Sequence, residues 1–159
     1  MQAKNLFGAN FATTKAGLTG ISGAATTHST GAAVIYAVGG KAYSKATITG
    51  GTTPTTDGVT GAAFVALAAS KGCAFVWCLN AAGDVKVVQG PVMDLNVDGN
   101  FVGGRPDIPN IPATLTAFAY QVTKAASTAS SWIFGTGNWN ATGLSHTVQD
   151  VLVMPDRPQ

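Results

Sequence analysis

The chain reads as all-β: one β-sandwich or jelly roll over 18–154, an extended N-terminal arm over 1–17, and an extended C-terminal tail over 155–159. Three observations predict this. Helix formers are scarce, since there is no Glu, Leu is sparse, and Gly, Thr and Val are abundant, a composition that opposes helix and suits strands. Short apolar stretches alternate with Gly, Pro, Asn and Asp punctuation, the pattern of many short strands. The length of 159 residues bounds one domain with a core large enough to need no staples.

The elements follow in order. Leu6, Phe7 and Phe11 are apolar points among Gly and Asn in the arm. Segments 32–38 and 41–49 flank Gly39-Gly40, a two-residue hairpin turn in which Gly accepts positive φ. Segment 50–61, Gly-Gly-Thr-Thr-Pro-Thr-Thr-Asp-Gly-Val-Thr-Gly, reads as a polar loop. The apolar run 62–69 reads as a strand in preference to a short helix, although such runs discriminate poorly. Segments 73–79 and 85–89 flank Asn-Ala-Ala-Gly-Asp, a second hairpin. Residues 90–112 hold four of the seven prolines and predict an irregular connection. Strands over 114–123, 130–134 and 146–154 complete a set of eight or so, which suits two packed sheets. Pro155 and Pro158 keep the tail extended.

Strands 32–38, 62–69 and 73–79 look apolar on both faces. In the last, Phe75, Trp77 and Leu79 point one way and Ala74, Val76 and Cys78 the other. One face of an antiparallel sandwich sheet is normally solvated and polar. A second covering is therefore expected; a neighbouring protomer is the preferred one, and a long loop would serve equally. Cys73 and Cys78 are five apart, hence on opposite faces of a strand, and read as buried free thiols.

Charge is the most unusual property. Only 16 residues are Lys, Arg, Asp or Glu, nine basic and seven acidic, and every acid is Asp. Soluble domains ordinarily carry about a quarter charged residues. No Lys/Arg cluster exists to neutralise phosphates, so nucleic acid is not an expected partner. No apolar run approaches the roughly 18 residues of a membrane helix, and no membrane role is expected. Met1-Gln2-Ala3-Lys4-Asn5 lacks an apolar segment behind it, which argues against a secretory signal and fits manufacture in a cytoplasm.

The motifs that resemble chemistry are weak. Asp94-Leu-Asn96-Val-Asp98-Gly99-Asn100 matches the first half of a calcium loop, with oxygens at Asp94, Asn96 and Asp98 and Gly99 at the sixth position. The twelfth position, normally a bidentate Glu, is Arg105. An Asx turn explains the same residues, and no metal or cofactor is expected. Ser145-His146 are adjacent, so on a strand they face opposite ways and are poorly placed to share a proton. The remaining aspartates sit at turns, and the Gly-rich stretches lack the Lys-Ser/Thr of a phosphate loop. Trp132 and Phe134 share one strand face and read as core, whereas Trp139 lies in a Gly/Asn loop. Trp139 is the candidate for an exposed sugar-stacking platform, as in a carbohydrate- or receptor-binding module.

Phe118-Ala-Tyr120-Gln-Val122-Thr-Lys124-Ala-Ala-Ser127, Ser131-Trp132-Ile-Phe134-Gly135-Thr-Gly-Asn138-Trp139 and Asp150-Val-Leu-Val-Met-Pro155-Asp-Arg157-Pro158 together resemble a family of capsid cement, or head decoration, proteins of tailed bacteriophages. Gly8-Ala-Asn10-Phe11-Ala, Lys15-Ala-Gly17-Leu18 and Thr53-Pro54-Thr-Thr-Asp57 are similar in style. The resemblance implies a jelly-roll sandwich and oligomers on the outside of an icosahedral shell, with the major capsid protein as partner and no enzymatic role. A low-charge surface fits repeated shallow contacts, because interface cores are depleted in charge. Leu6, Phe7 and Phe11 on the arm, and the tail around Arg157, are then the expected staples to a neighbouring subunit, in a homodimer or homotrimer.

Overall fold

The computed structural model describes residues 9–152. Eleven strands run through them: β1 (Phe11–Ala12), β2 (Leu18–Thr19), β3 (Thr27–Thr30), β4 (Val34–Val38), β5 (Lys41–Lys45), β6 (Gly51–Thr52), β7 (Lys71–Asn80), β8 (Val85–Gln89), β9 (Met93–Asp94), β10 (Leu115–Ala125) and β11 (Leu144–Asp150). No helix occurs among the described residues, so the fold is all-β. The strands form three sheets where the sequence suggested two: β1-β4-β5, β2-β3-β6, and a five-stranded sheet in the order β11-β10-β7-β8 with β9 also on β7. Every strand-to-strand pairing is antiparallel.

The two expected hairpins are present. Gly39 and Gly40 adopt φ of 59° and 80° between β4 and β5, the backbone that matches strand twist and excludes most side chains. Asn80 closes the β7–β8 turn by accepting the Ala82 and Asp84 N–H groups on its Oδ1, at 3.0 and 2.9 Å.

Two expected strands are absent. Segments 62–69 and 130–134 meet only through the isolated bridge Leu67↔Trp132, with reciprocal N–H···O=C bonds of 2.8 and 2.9 Å. Both are loops that carry large side chains inward: Phe64, Leu67, Trp132 and Phe134 are buried while Val65 is exposed. Gly135, at φ 75°, lets the second loop turn beneath Pro54, whose carbonyl oxygen would lie 2.1 Å from any Cβ there. Five strands are missed by the sequence reading because each is too short, or in β3 too polar, to show periodicity.

The arm is also revised. Phe11 and Ala12 pair with Ala37 and Tyr36 of β4, and Ala12 and Ala16 are buried in the core. Residues 9–17 are thus part of the domain, because backbone groups there are satisfied by the sheet and Ala side chains fit against it. Leu6, Phe7 and Arg157 lie outside the described residues, as do the last two positions of the strand expected over 146–154.

β7 is buried on both faces throughout its apolar stretch, as its sequence predicts. Cys73, Phe75, Trp77 and Leu79 enter one core cluster with side chains from all three sheets and the two loops. Val76 and Cys78 enter a second cluster with Val88, Leu115 and Ala117. The covering over this second face is the chain itself, not a protomer: Ile108 and Ile111 of the Pro-rich connection, with Tyr120 and Val151, pack against it. β4 is covered on both faces only in part: Val34 and Tyr36 are buried on one face, and on the other Ala37 is buried while Ile35 is exposed.

β10 contains the decisive irregularity. Its register on β7 slips between Ala117 and Ala119, a bulge that breaks the alternation of faces. Before it, Leu115 and Ala117 face the small cluster. After it, Ala119 and Ala125 belong to the large cluster, and Gln121 and Thr123, which lie between them in the alternation, are buried too. Two polar side chains are thereby driven into an aromatic core.

Candidate functional site

The large core gathers Phe64, Phe75, Trp77, Trp132, Phe134 and Trp139 in mutual ring contact, the closest being Phe75 on Phe134 at 4.3 Å between centroids. A polar chain threads it. Trp77 donates its indole N–H to Gln121 Oε1 at 3.2 Å, and Gln121 Nε2 donates to Thr123 Oγ1 at 3.0 Å. Gln121 Nε2 and Thr123 Oγ1 both reach His146 Nδ1, at 3.1 and 3.0 Å. His146 Nε2 donates to the Trp139 carbonyl at 2.9 Å, which assigns the neutral tautomer with the proton on Nε2. Burial pushes the His146 pKa down, against the upward pull of that carbonyl.

Both ring nitrogens of His146 are therefore occupied, and Ser145 beside it is exposed on the opposite face. This pair is not a nucleophile and its base. Trp139 is buried, with its indole N–H on the Thr27 carbonyl at 2.8 Å. The Gly/Asn loop around it folds inward, so Trp139 offers no exposed face for a sugar and joins Trp132 and Phe134 in the core.

His28, unlike half-buried His146, is fully buried, 4.9 Å from the Trp77 ring. Its pKa falls to about 4, first through burial and also through the Lys45 charge, and the Gly51 backbone offsets this only in part. Its Nε2 makes no side-chain or backbone hydrogen bond of good geometry.

The Asp94–Asn100 segment forms a turn rather than converging on a centre. Asn96 Oδ1 accepts the Asp98 and Asn100 N–H groups at 3.0 and 2.9 Å, and Asp94 pairs with Lys71. Among the described residues no group of three or more His, Cys, Asp or Glu side chains is placed to hold a metal ion. Beneath the turn lies an open cleft of about 440 Å³ bordered by Ser70, Asn96, Asp98 and Ser127. Asp57, Asp84 and Asp150 likewise hold loops. Asp57 accepts the Val59, Thr60 and Gln89 N–H groups; burial alone would raise its pKa, but these bonds outweigh burial and lower it.

Both cysteines are free and buried. Burial pushes the Cys73 thiol up to about 12 despite a hydrogen bond from Gln89, and raises Cys78 as well. Neither carries thiolate near neutral pH.

No protein-family model, curated protein or solved structure matches the chain.

What remains for function is the outside. Val97 is fully exposed at the tip of the 94–101 turn, and Ile35, Val59, Val65 and Val102 also face solvent. Among the described residues no helix is long and apolar enough to cross a membrane. One surface feature escaped the sequence reading: the outer edge of β11. Its signal was the absence of Lys, Arg and Pro from 144–150, the residues that usually guard a strand edge.

Proposed function

We propose that the chain is a structural protein of a tailed-bacteriophage virion. It acts as a cement protein on the outside of the icosahedral head, bridging major capsid protein subunits. It works as a homodimer or homotrimer, without catalysis or a cofactor, and is made in the bacterial host cytoplasm. The observation that carries this reading is the scarcity of charge, 16 residues of 159, on an all-β domain with isolated aliphatic side chains on its exterior. Extended contacts that exclude water favour such a surface, since every desolvated charge needs a partner. The family resemblance adds the shell as the partner and the jelly-roll variety of sandwich. Binding only the assembled shell would stabilise it by mass action.

Quantitative mass spectrometry of purified virions tests the reading. A copy number equal to that of the major capsid protein, or a simple fraction of it, is expected. A count far lower would move the chain to a tail or fibre, and absence from particles would refute the proposal. Residues 1–8 can be removed while leaving β1 whole. That truncation should lower particle occupancy if Leu6 and Phe7 are staples.

A further inference from the structure

The sheet edges of this molecule are not treated alike. β5 carries Lys41 and Lys45 at its two ends, charges that discourage a foreign strand. β8 is covered by its own chain: Asp57 bridges Val87 in parallel, Gly58 N–H donates to the Val87 carbonyl at 2.7 Å, and Gln89 N–H donates to Asp57 Oδ2 at 2.8 Å. Among the described residues β11 has neither device over 145–149; its own chain approaches only the far end, where β2 lies beside it and Ala12 N–H donates to the Leu152 carbonyl at 2.7 Å. β11 is seven residues long, contains no Lys, Arg, Pro or bulge, and pairs with β10 without interruption from Ala125↔Leu144 to Ala119↔Asp150. Its one charged residue, Asp150, is occupied by the Gly17 N–H at 2.9 Å.

The direction of its free groups can be read from the ladder. Gly143 C=O accepts from Ala126 N–H at 2.8 Å, and Val151 N–H donates to the Phe118 carbonyl at 3.0 Å. Both odd-numbered residues therefore point toward β10, and by alternation so do 145, 147 and 149. The N–H and C=O groups of His146 and Val148 point outward, and among the described residues they have no partner. Their side chains are turned to the core side, where His146 is held by Gln121 and Thr123 and Val148 packs on the large cluster. Ser145, Thr147 and Gln149 cover the exposed face.

We infer that this edge is the seam of a two-fold homodimer, in which β11 pairs antiparallel with β11 of a second copy and the two five-stranded sheets become continuous. The pattern is self-complementary. A register centred on Thr147 sets Thr147 against Thr147, Ser145 against Gln149 and His146 against Val148. The outward groups of His146 and Val148 then bond each other, Thr–Thr and Ser–Gln pairs line the exposed face, and no like charges meet. Leu144 opposes Asp150 at each end. An isologous interface requires this match of a surface with itself. The inference sharpens the self-association in the proposed function, and it stands or falls separately from attachment to a capsid.

Analytical ultracentrifugation of the wild type and of Thr147→Lys is the test. Thr147 is exposed, so the substitution should leave the strand content seen by circular dichroism unchanged while setting two ammonium groups against each other across the seam. The wild type's melting temperature should rise with protein concentration and that of Thr147→Lys should not. The wild type should sediment as a dimer, Thr147→Lys as a monomer, and an equimolar mixture of Thr147→Lys with Thr147→Glu as a heterodimer. The His146 and Val148 amides should exchange roughly tenfold more slowly in the wild type than in Thr147→Lys. A wild type that is monomeric or trimeric overturns the inference, as does a dimer indifferent to Thr147→Lys or a mixture that fails to pair. Equal protection of both amides in the monomeric variant would also overturn it, by showing that the chain covers its own edge. A dimer without copies in virions would refute the cement reading and leave the seam in place.

Discussion

The two faces of the five-stranded sheet are built by opposite means. On one, Phe75 and Trp77 meet rings delivered from 64, 132, 134 and 139, and buried Gln121, Thr123 and His28 with half-buried His146 lie among or beside them. On the other, Val76, Cys78, Val88, Leu115 and Ala117 are closed over by Ile108 and Ile111 from one Pro-rich connection. The first face depends on contacts between residues far apart in sequence and on polar atoms that each need a partner. The second is mostly aliphatic, and its cover, Ile108 and Ile111 with Tyr120 and Val151, places no buried polar network against it. Specificity is therefore concentrated on the aromatic face, where a wrong side chain leaves both a cavity and an orphaned donor. The aliphatic face asks only for volume.

The sharpest way to break the aromatic face is Phe134→Ala. Phe134 touches Phe64, Phe75, Trp77, Trp132 and Trp139, and its loop cannot collapse because Gly135 is already pressed against Pro54. A loss of about 3–5 kcal/mol is expected from chemical denaturation. A loss below about 1 kcal/mol would show that the cluster repacks.

Acid should attack the same face next. His28 and His146 are both held below the ordinary imidazole value. The unfolded chain therefore binds protons first, and the stability is fully present above pH 6.5. It is lost as pH falls from there through the His28 value of about 4, by up to about 3 kcal/mol for His28 alone. Asp57, with its lowered carboxyl, adds a loss only at lower pH. A stability curve flat from pH 6.5 to 4 would mean that the imidazoles are not buried as neutral bases.

The smallest effect should come from the aliphatic face. Ile111→Ala removes part of a half-buried cover and is expected to cost about 1 kcal/mol. It should also expose Cys78 to alkylating reagents sooner than Cys73, which lies on the other face. Equal labelling of the two thiols would erase the distinction between the faces.

Much of the sheet was legible in the residues. The Gly39-Gly40 and Asn80–Asp84 turns, the exact span 85–89 and the double burial of β7 follow from turn chemistry and from continuous apolar character. The loops 62–69 and 130–134 were not, because a short apolar run is equally consistent with a strand and with a loop that inserts its side chains. Of the candidate positions, Phe11 is drawn into β1 and Trp139 into the core. Leu6, Phe7 and Arg157 stay with the proposed capsid contact.

By itself the sequence determined the all-β class, the low-charge exterior and the placing of Cys73 and Cys78 on opposite faces, since these depend on composition and on the two-residue period of a strand. Tertiary structure alone decided three things: that the chain covers its own second face, that the β10 bulge turns Gln121 and Thr123 inward, and that the outward groups of His146 and Val148 in β11 have no partner among the described residues. Each depends on which segments meet across long separations, and local periodicity carries no record of that.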